Sequence, residues 1–347
     1  MTKYEQSAWL AAAPRATNGG GLMAWLRNCS GIAAAVIFAL ALGVGVAGAQ
    51  QIPKPERASL RVGILPFGNC VSIYFAKERG YFTALGLDVS LVYQDAGVQL
   101  LPAMEAGKID MAYVSALPLL TANSQGFDFV IIAGMSLTQG AKTGAILTLR
   151  SGPTKLTELT GKSVGFGPLG SYTDLFGRAA LEKAGVDLRT VKVLTGPYAV
   201  LPDQLREGQV AAIFTHDPGL SVALSRGARV IATPYEDVSG GSTAFAQVAS
   251  TRRFARANPK TIEAFVSGLE RAMNFLNANE TEWRAAIGRF LKLSPEVLAV
   301  VQRENYQIAV PVDRLRQIAD LATKYGYAQK KVERVENMVW PTAVPKK

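Results

Sequence analysis

The sequence of 347 residues predicts an α/β protein with two similar lobes, a central cleft between them and a set of C-terminal helices. Short apolar strands alternate with helix-forming segments, which is typical of βαβ units in a largely parallel sheet. One strand–loop–helix unit also recurs about a hundred residues further along the chain. Hydrophobic residues make up 49% and charged residues 18% of the chain, which suffices for more than one core.

The first unit begins with a buried strand over residues 60–65, followed by a turn-rich loop and a helix over 72–79. Strands over 88–93, 111–114 and 129–133 continue the pattern, with helix-forming segments between them. Short apolar runs bounded by glycine and proline favour strands, because helices need longer periodic segments.

The repeat is carried by residues at matching positions with an offset of 102. The matching pairs are Val62/Val164, Gly63/Gly165, Pro66/Pro168 and Gly68/Gly170. A second stretch, 105–109 against 206–210, matches at an offset of 101. Turn chemistry common to all βα units is the alternative explanation, and it also gives two similar α/β lobes.

We expect the chain to cross between the lobes near residues 150 and 243. The strand over 145–150 is followed by Ser-Gly-Pro, and a flexible Ser-Gly-Gly-Ser segment precedes a returning strand over 243–250. Lobe 1 is therefore predicted to contain 59–150 together with 243–347, and lobe 2 to contain 151–242.

The C-terminal part is predicted to be helical. Asn258-Pro259 combines an N-cap residue with proline at the first helical position, before a helix over 261–276. Ser294-Pro295 repeats this start signal. Further helices are expected over 311–325 and 328–338. We interpret these helices as packing elements.

Residues 1–49 are predicted to be a cleaved secretory signal. An uninterrupted apolar run over 31–46 follows Arg27 and precedes Ala47-Gly48-Ala49. The run is shorter than an ordinary membrane span. We expect cleavage near Ala49/Gln50 and a periplasmic mature protein.

The segment before the apolar run is long for a signal, so translation starts at either Met1 or Met23. Residues 50–58 are polar and proline-rich, and we expect them to form a tether before the first strand.

Composition excludes several classes of function. The net charge is +10, but the sequence contains no run of five or more Lys or Arg, so no nucleic-acid partner is expected. The two cysteines are Cys29 and Cys70, and His216 is the single histidine. These residues do not suffice for a cysteine-based zinc site or a Ser/His catalytic site. We expect a non-enzymatic monomer without a metal or cofactor.

Candidate ligand-binding residues lie in loops at the carboxyl ends of the strands, where open α/β sheets bind ligands. Glycines allow close backbone approach, helix N-termini hold anions without basic residues, and aromatic rings form apolar walls. In lobe 1 the candidates are Phe67, Gly68, Asn69, Cys70, Ala96, Gly97, Ser115 and Ala116. In lobe 2 they are Ser171, Tyr172, Thr173, Tyr198, His216 and Asp217.

Structural roles are open for the same residues. The short polar residues also suit helix caps, the tyrosines suit half-buried packing, and Cys70 suits a small core position. The pair His216-Asp217 could polarise a solute, act as a strut between the lobes or form a catalytic dyad. No basic residue falls in these loops.

The stretch over 72–82 with Gly86-Leu87-Asp88-Val89 resembles the A-x-x-x-G-[FY]-[FL]…G-L-x-V pattern of periplasmic substrate-binding proteins. These proteins serve nitrate/sulfonate/taurine-type ABC importers. The stretch over 107–112 resembles their G-x-x-D-x-A segment. The resemblance spans about 58–340 and implies a type II periplasmic-binding fold, with closure on a small solute.

It also implies delivery of the solute to an ABC permease in the inner membrane. Binding proteins for thiamine-pyrimidine precursors are similar relatives, so the solute class stays open between sulfonate, taurine or nitrate and a pyrimidine. An enzyme on the same fold, such as a small-molecule lyase or pyrimidine synthase, and a chemosensory ligand-presenting protein are the alternatives. The related synthases carry a cysteine-rich motif, whereas Cys70 is the one cysteine after residue 49.

Overall fold

The structure is a computed structural model that describes residues 54–94, 97–330 and 332–344. The described strands are β1 (Ser59–Ile64), β2 (Asp88–Tyr93), β3 (Met111–Ser115), β4 (Phe129–Leu137), β5 (Ala145–Thr148), β6 (Ser163–Phe166), β7 (Lys192–Thr195), β8 (Ala212–Thr215), β9 (Arg229–Ala232) and β10 (Ala244–Thr251). The described α-helices are α1 (Val71–Glu78), α2 (Leu100–Glu105), α3 (Ala116–Ser124), α4 (Tyr172–Lys183), α5 (Leu201–Arg206), α6 (Gly219–Ser225), α7 (Pro234–Ser239), α8 (Arg252–Ala257), α9 (Pro259–Ala278), α10 (Glu280–Leu291), α11 (Pro295–Val300) and α12 (Val312–Lys324).

The strands form two five-stranded sheets with the same topology. Their orders are β2-β1-β3-β10-β4 and β7-β6-β8-β5-β9. In each sheet the first three strands are parallel, and the fourth strand runs antiparallel to both of its neighbours. The predicted two-lobed α/β fold is therefore confirmed.

Strand register reproduces the offsets of the sequence repeat. In the first sheet Val62 pairs with Met111, and in the second sheet Val164 pairs with Ala212. The first positions differ by 102 and the second by 101, as in the aligned sequence stretches. The repeated residues thus occupy equivalent places in the two sheets, and their loops leave equivalent strand ends.

The first crossover between the lobes lies earlier than residue 150. Strand β5 pairs with β8 and β9 and belongs to the second sheet, so the chain crosses within 138–144. Ala145 and Leu147 are fully buried in the apolar core of that sheet. The Ser-Gly-Pro break after residue 150 is a turn inside lobe 2. Strand β10, after residue 243, lies in the first sheet.

The described end of the expected tether is bound to helix α9. The Glu56 carboxylate accepts hydrogen bonds from the backbone N–H groups of Lys260 and Thr261, at 3.2 and 2.9 Å. Asn258 precedes α9 but makes no side-chain capping bond. Because the first N–H groups of a helix have no partner within it, Glu56 supplies the missing acceptor.

Residues 1–53 lie outside the described residues, and with them the predicted signal, its cleavage position and the start of translation. In the described part of the chain, no helix is both long and apolar enough to cross a membrane.

The prediction of a helix over 328–338 is wrong. Residue 331 aside, this segment contains a single 3₁₀ turn, Val335–Met338. The apolar residues Val332, Val335 and Met338 recur every third position, which suits the three-residue turn of a 3₁₀ helix.

The segment before α12 returns to the first sheet. Gly134 on β4 donates its N–H to the carbonyl of Ile308 at 2.6 Å, and Gln307 donates to Met135 at 3.1 Å. A Cβ atom at position 134 would lie 2.8 Å from the Ile308 oxygen, so glycine permits this approach. These contacts hold residues 306–309 against the sheet.

Candidate functional site

A cavity of about 40 Å³ lies between the two lobes. It is lined by Leu65, Phe67, Gly97, Tyr113, Ser115, Pro118, Pro168, Ser171, Tyr172, Tyr198, His216 and Phe245. Most of these residues belong to loops at the carboxyl ends of strands in both sheets. A cavity of this volume holds no more than a few water molecules. A larger solute therefore enters only if the lobes or their side chains move apart.

A larger apolar groove of about 690 Å³ shares Pro118 with the cavity. Its lining includes Leu101, Phe127, Leu169 and Tyr327. None of the candidate residues named above that the structure describes lines this groove, although Leu169 and Gly170, which precede Ser171 in the same loop, do. We place the candidate site in the smaller cavity, because polar groups from both lobes converge there.

The structure brings half of the predicted residues into the cavity wall. These are Phe67, Gly97, Ser115, Ser171, Tyr172, Tyr198 and His216. The others that it describes lie outside the wall: Gly68, Asn69, Cys70, Ala116, Thr173 and Asp217. Cys70 and Ala116 are buried in the apolar core, at 0% and 1% exposure, and lie outside the cavity wall. Ala96 lies outside the described residues.

Sequence reasoning missed five residues of the wall: Leu65, Tyr113, Pro118, Pro168 and Phe245. Tyr113 could have been found, because it lies two positions before Ser115 on β3 and so on the same face of the strand. Phe245 gave no such signal, because it is the second residue of the antiparallel strand β10 and does not lie in a loop after a strand.

Aromatic rings from the two lobes meet across the cleft. The ring centroids of Phe67 and His216 are 4.3 Å apart, and those of Phe67 and Tyr198 are 5.4 Å apart with an interplanar angle of 89°. Tyr198 and His216 are also neighbours, at 4.4 Å. Edge-to-face contacts of this kind are favourable for aromatic pairs. Lobe 1 thus closes on lobe 2 through Phe67.

The hydroxyl groups of lobe 2 form an internal network. Thr173 Oγ1 lies 3.0 Å from Ser171 Oγ and 3.2 Å from Tyr198 Oη, and it accepts the N–H of Gly167 at 3.1 Å. Ser171 Oγ also accepts the N–H of Asp174 at 3.3 Å and so caps α4. Capping and lining of the cavity are therefore compatible roles for Ser171.

Gly167→Ala is expected to displace the Tyr198 ring from the cleft, because a Cβ at this position would overlap that ring. We expect a loss of about 1–3 kcal/mol in the free energy of unfolding, as for other overpacked sites. A crystal structure of the variant and urea denaturation measure the two effects. Gly196→Ala is the control, since a Cβ there meets nothing within 4 Å and its expected change is below about 0.5 kcal/mol. A variant with Tyr198 in its original place would contradict this packing.

His216 and Asp217 are both buried, at 6% and 7% exposure. Burial lowers the pKa of His216 to about 4 and raises the pKa of Asp217 to about 6. His216 Nδ1 lies 3.5 Å from the backbone oxygen of Asp217, and Asp217 Oδ1 accepts the N–H of Ser221 at 2.9 Å. These contacts hold the His216 ring in place and cap helix α6 through Asp217. They include no hydrogen bond between the two side chains.

No group of three His, Cys, Asp or Glu side chains in the described ranges could hold a metal ion. Cys70 is fully buried, and burial raises the pKa of its thiol far above its usual range. A thiol held in this way is a packing residue, because the thiolate is the reactive form.

Glu304 is a further residue that sequence reasoning missed. It follows α11, is 7% exposed, and lies close enough to Ser136 on β4 for the two to interact. Burial raises the pKa of Glu304 to about 8, and the charge of Asp217 raises it further. No local pattern marks this residue, because its surroundings are assembled from distant parts of the chain.

Comparison with solved structures shows the same fold. The periplasmic aliphatic sulphonate binding protein SsuA of Escherichia coli has a TM-score of 0.71 and 23% identity, covering 83% of this chain and 99% of that protein. The alkanesulfonate-binding protein SsuA of Xanthomonas axonopodis pv. citri, bound to MOPS, has a TM-score of 0.70 and 24% identity over 82% and 99%. The periplasmic nitrate-binding protein NrtA of Synechocystis PCC 6803 has a TM-score of 0.68 and 14% identity over 82% and 86%. The expected periplasmic-binding-protein fold is therefore confirmed.

Sequence comparison gives a family and a partial match. The 4-amino-5-hydroxymethyl-2-methylpyrimidine phosphate synthase THI11 of Saccharomyces cerevisiae is 29% identical over 97 residues, which is 28% of this chain and 28% of that protein. The chain thus matches little more than a quarter of the length of that relative. A family profile described as "NMT1/THI5 like" matches residues 68–282, well over half of the chain. The protein accordingly belongs to the NMT1/THI5-like family.

Proposed function

We propose that the protein is the extracytoplasmic solute-binding component of an ABC importer. In this role it holds one small solute between its lobes and delivers it to a permease in the inner membrane. The observation that carries the proposal is a cavity whose wall comes from equivalent loops of two topologically equal sheets, with Phe67 in contact with Tyr198 and His216. A site divided between two lobes couples ligand binding to closure.

The solved structures of similar fold support this proposal, since three of them are named as sulphonate-, alkanesulfonate- and nitrate-binding proteins. The proposal includes secretion to the periplasm through the apolar N-terminal segment, and action as a monomer. The cleft is largely aromatic, so we expect an organic solute with a flat or apolar body.

An enzyme is the second candidate, because a short stretch of the chain matches the yeast pyrimidine phosphate synthases. The two candidates differ in a simple way. A transport protein forms a stable one-to-one complex and leaves its ligand unchanged, whereas an enzyme releases a product.

The test is a thermal-shift screen of the secreted protein against nitrate, taurine, alkanesulfonates, aromatic acids, pyrimidines and small amines. A ligand at 100 times its Kd stabilises the native state by about 2.7 kcal/mol. Each hit is then measured by calorimetry, and the solution is analysed by mass spectrometry for products. Stoichiometric binding without turnover is expected. Product formation from any compound would favour the enzyme.

Tyr198→Ala is expected to lower the affinity for the solute by roughly tenfold, because the variant loses the aromatic ring that meets Phe67. Tyr325→Phe is the control, since this hydroxyl bonds Glu182 at the surface and does not line the cavity. Unchanged affinity in Tyr198→Ala would place the ligand outside the cleft.

A further inference from the structure

A cluster of buried polar side chains lies behind the wall of the cavity. We call Asn69, Ser136, Asp217 and Glu304 the acceptor cluster; each is less than 8% exposed. Three of its atoms, Asn69 Oδ1, Ser136 Oγ and Glu304 Oε2, are buried and make no hydrogen bond within the described residues. Unpaired buried polar atoms are costly and uncommon in native proteins.

The cluster adjoins the cavity through Tyr113 and His216, which both line it. The charge of Glu304 and a hydrogen bond from Asn69 both act on the pKa of the Tyr113 hydroxyl, so these groups are neighbours. Asp217 follows His216 directly, and its Cβ would lie 3.6 Å from a Cβ built on Gly68. Asp217 of lobe 2 therefore lies against the first loop of lobe 1.

In the part of the chain that the structure describes, no cation balances the two carboxyl groups. Within the described ranges, neither Asp217 nor Glu304 has an ion-pair partner within 4 Å. Arg303 precedes Glu304, but it donates to the carbonyl of Leu276 and lies 3.4 Å from Glu280. Without a partner cation a buried carboxyl keeps its proton to a higher pH, and a bound cation favours its ionised form.

The unpaired atoms also specify which kind of group would satisfy them. The amide oxygen of Asn69 and the carboxylate oxygen of Glu304 accept hydrogen bonds and do not donate them, apart from a protonated carboxyl. N–H donors of a ligand therefore suit the Asn69 amide oxygen and the ionised form of Glu304. The faces of Phe67 and Tyr198 attract cations as well.

We propose that the cleft takes a solute with a cationic nitrogen group, an amine or amidinium on a flat apolar body, whose N–H groups reach Asp217 and Glu304. This proposal rests on the proposed function, because it names the class of solute for that site. Nitrate or a sulfonate would instead face two carboxyl groups without a basic residue in the cavity wall.

The test uses three probes of one size and shape: benzamidine as the cation, benzamide as the neutral form and benzoate as the anion. Calorimetry with the secreted protein at pH 8.5, where both carboxyl groups ionise most readily, is expected to give the tightest binding for benzamidine, by roughly tenfold or more over benzamide. Benzoate is expected to bind most weakly. Equal or tighter binding of benzoate would overturn the proposal, and so would the absence of benzamidine binding.

Glu304→Gln and Asp217→Asn keep the shape of each side chain and remove its charge. Each variant is expected to bind benzamidine with roughly tenfold lower affinity and to bind benzamide with unchanged affinity. The control is Asp313→Asn, whose side chain is 92% exposed. Circular dichroism verifies that each variant is folded. Unchanged benzamidine affinity in both cluster variants would assign the carboxyl groups a purely structural role and overturn the proposal.

Affinity for benzamidine is expected to rise from pH 5.5 to 8.5, since the probe stays protonated while the carboxyl groups ionise. Three other titratable groups interact electrostatically with Glu304: Cys70, Tyr113 and Tyr306. The pKa of each is raised. They stay neutral in this range. The two proposals fail separately: if the screen finds an anionic ligand in the cleft, the binding function stands and the cationic class is wrong.

Discussion

Replacing Trp283 with alanine is expected to lower the free energy of unfolding by about 3–5 kcal/mol. Trp283 on α10 is 1% exposed, and its Nε1–H donates to the hydroxyl of Tyr306 at 2.8 Å. The variant loses the apolar contacts of the indole and also leaves the buried Tyr306 hydroxyl without this donor. Urea denaturation monitored by circular dichroism measures the loss.

Two further variants separate packing from the hydrogen bond. Trp283→Phe keeps most of the ring volume and removes the N–H, so its expected loss is about 1–3 kcal/mol. Val300→Ala is the control, because Val300 is 37% exposed and its expected change is within about 0.5 kcal/mol. A loss below about 1 kcal/mol in Trp283→Ala would show that the C-terminal helices do not depend on this contact.

The second large effect is a loss of stability as pH rises, caused by Glu304. Burial raises the pKa of this carboxyl from 4.5 to about 8. Between these values the native state keeps a proton that the unfolded chain has released, so raising the pH favours unfolding. The stabilising contribution is fully present below pH 4.5 and is lost as the pH passes 8. The whole difference corresponds to at most about 5 kcal/mol.

The range from pH 6.5 to 8.5 isolates this group. Asp217, with its pKa raised to about 6, has lost most of its contribution below that range. His216 has its pKa lowered to about 4, so its contribution is present above pH 6.5 and is lost only as the pH falls. Across the range the ligand-free protein is expected to lose about 2 kcal/mol, measured by urea denaturation.

Glu304→Gln is expected to abolish this loss, since the amide does not ionise, whereas Asp313→Asn should retain it. A wild-type protein whose stability stays constant from pH 6.5 to 8.5 would show that Glu304 is already ionised in the native state. This measurement needs no ligand, so it is independent of the solute class.

Much of the architecture follows from short stretches of sequence. Strand β2 was predicted at its observed bounds, and the glycine–proline pattern around Val62 and Val164 located the equivalent loops of both lobes. Strand period and turn residues are local properties, so a window of a few residues suffices to predict them. The prediction that Phe67, Tyr198 and His216 belong to the site rests on the same kind of local signal: they lie in loops that follow predicted strands.

Sequence alone therefore determined the repeated α/β unit and the loops at the carboxyl ends of its strands. The tertiary structure decided three other features: that β5 joins the second sheet, that Glu56 caps α9, and that Glu304 lies beside Ser136 and Asp217. These three contacts join residues distant in sequence. They depend on how helices and sheets pack, and no local periodicity or turn residue records that packing. The acceptor cluster behind the cleft likewise depends on tertiary packing, because it forms only when the C-terminal segment that carries Glu304 is in place.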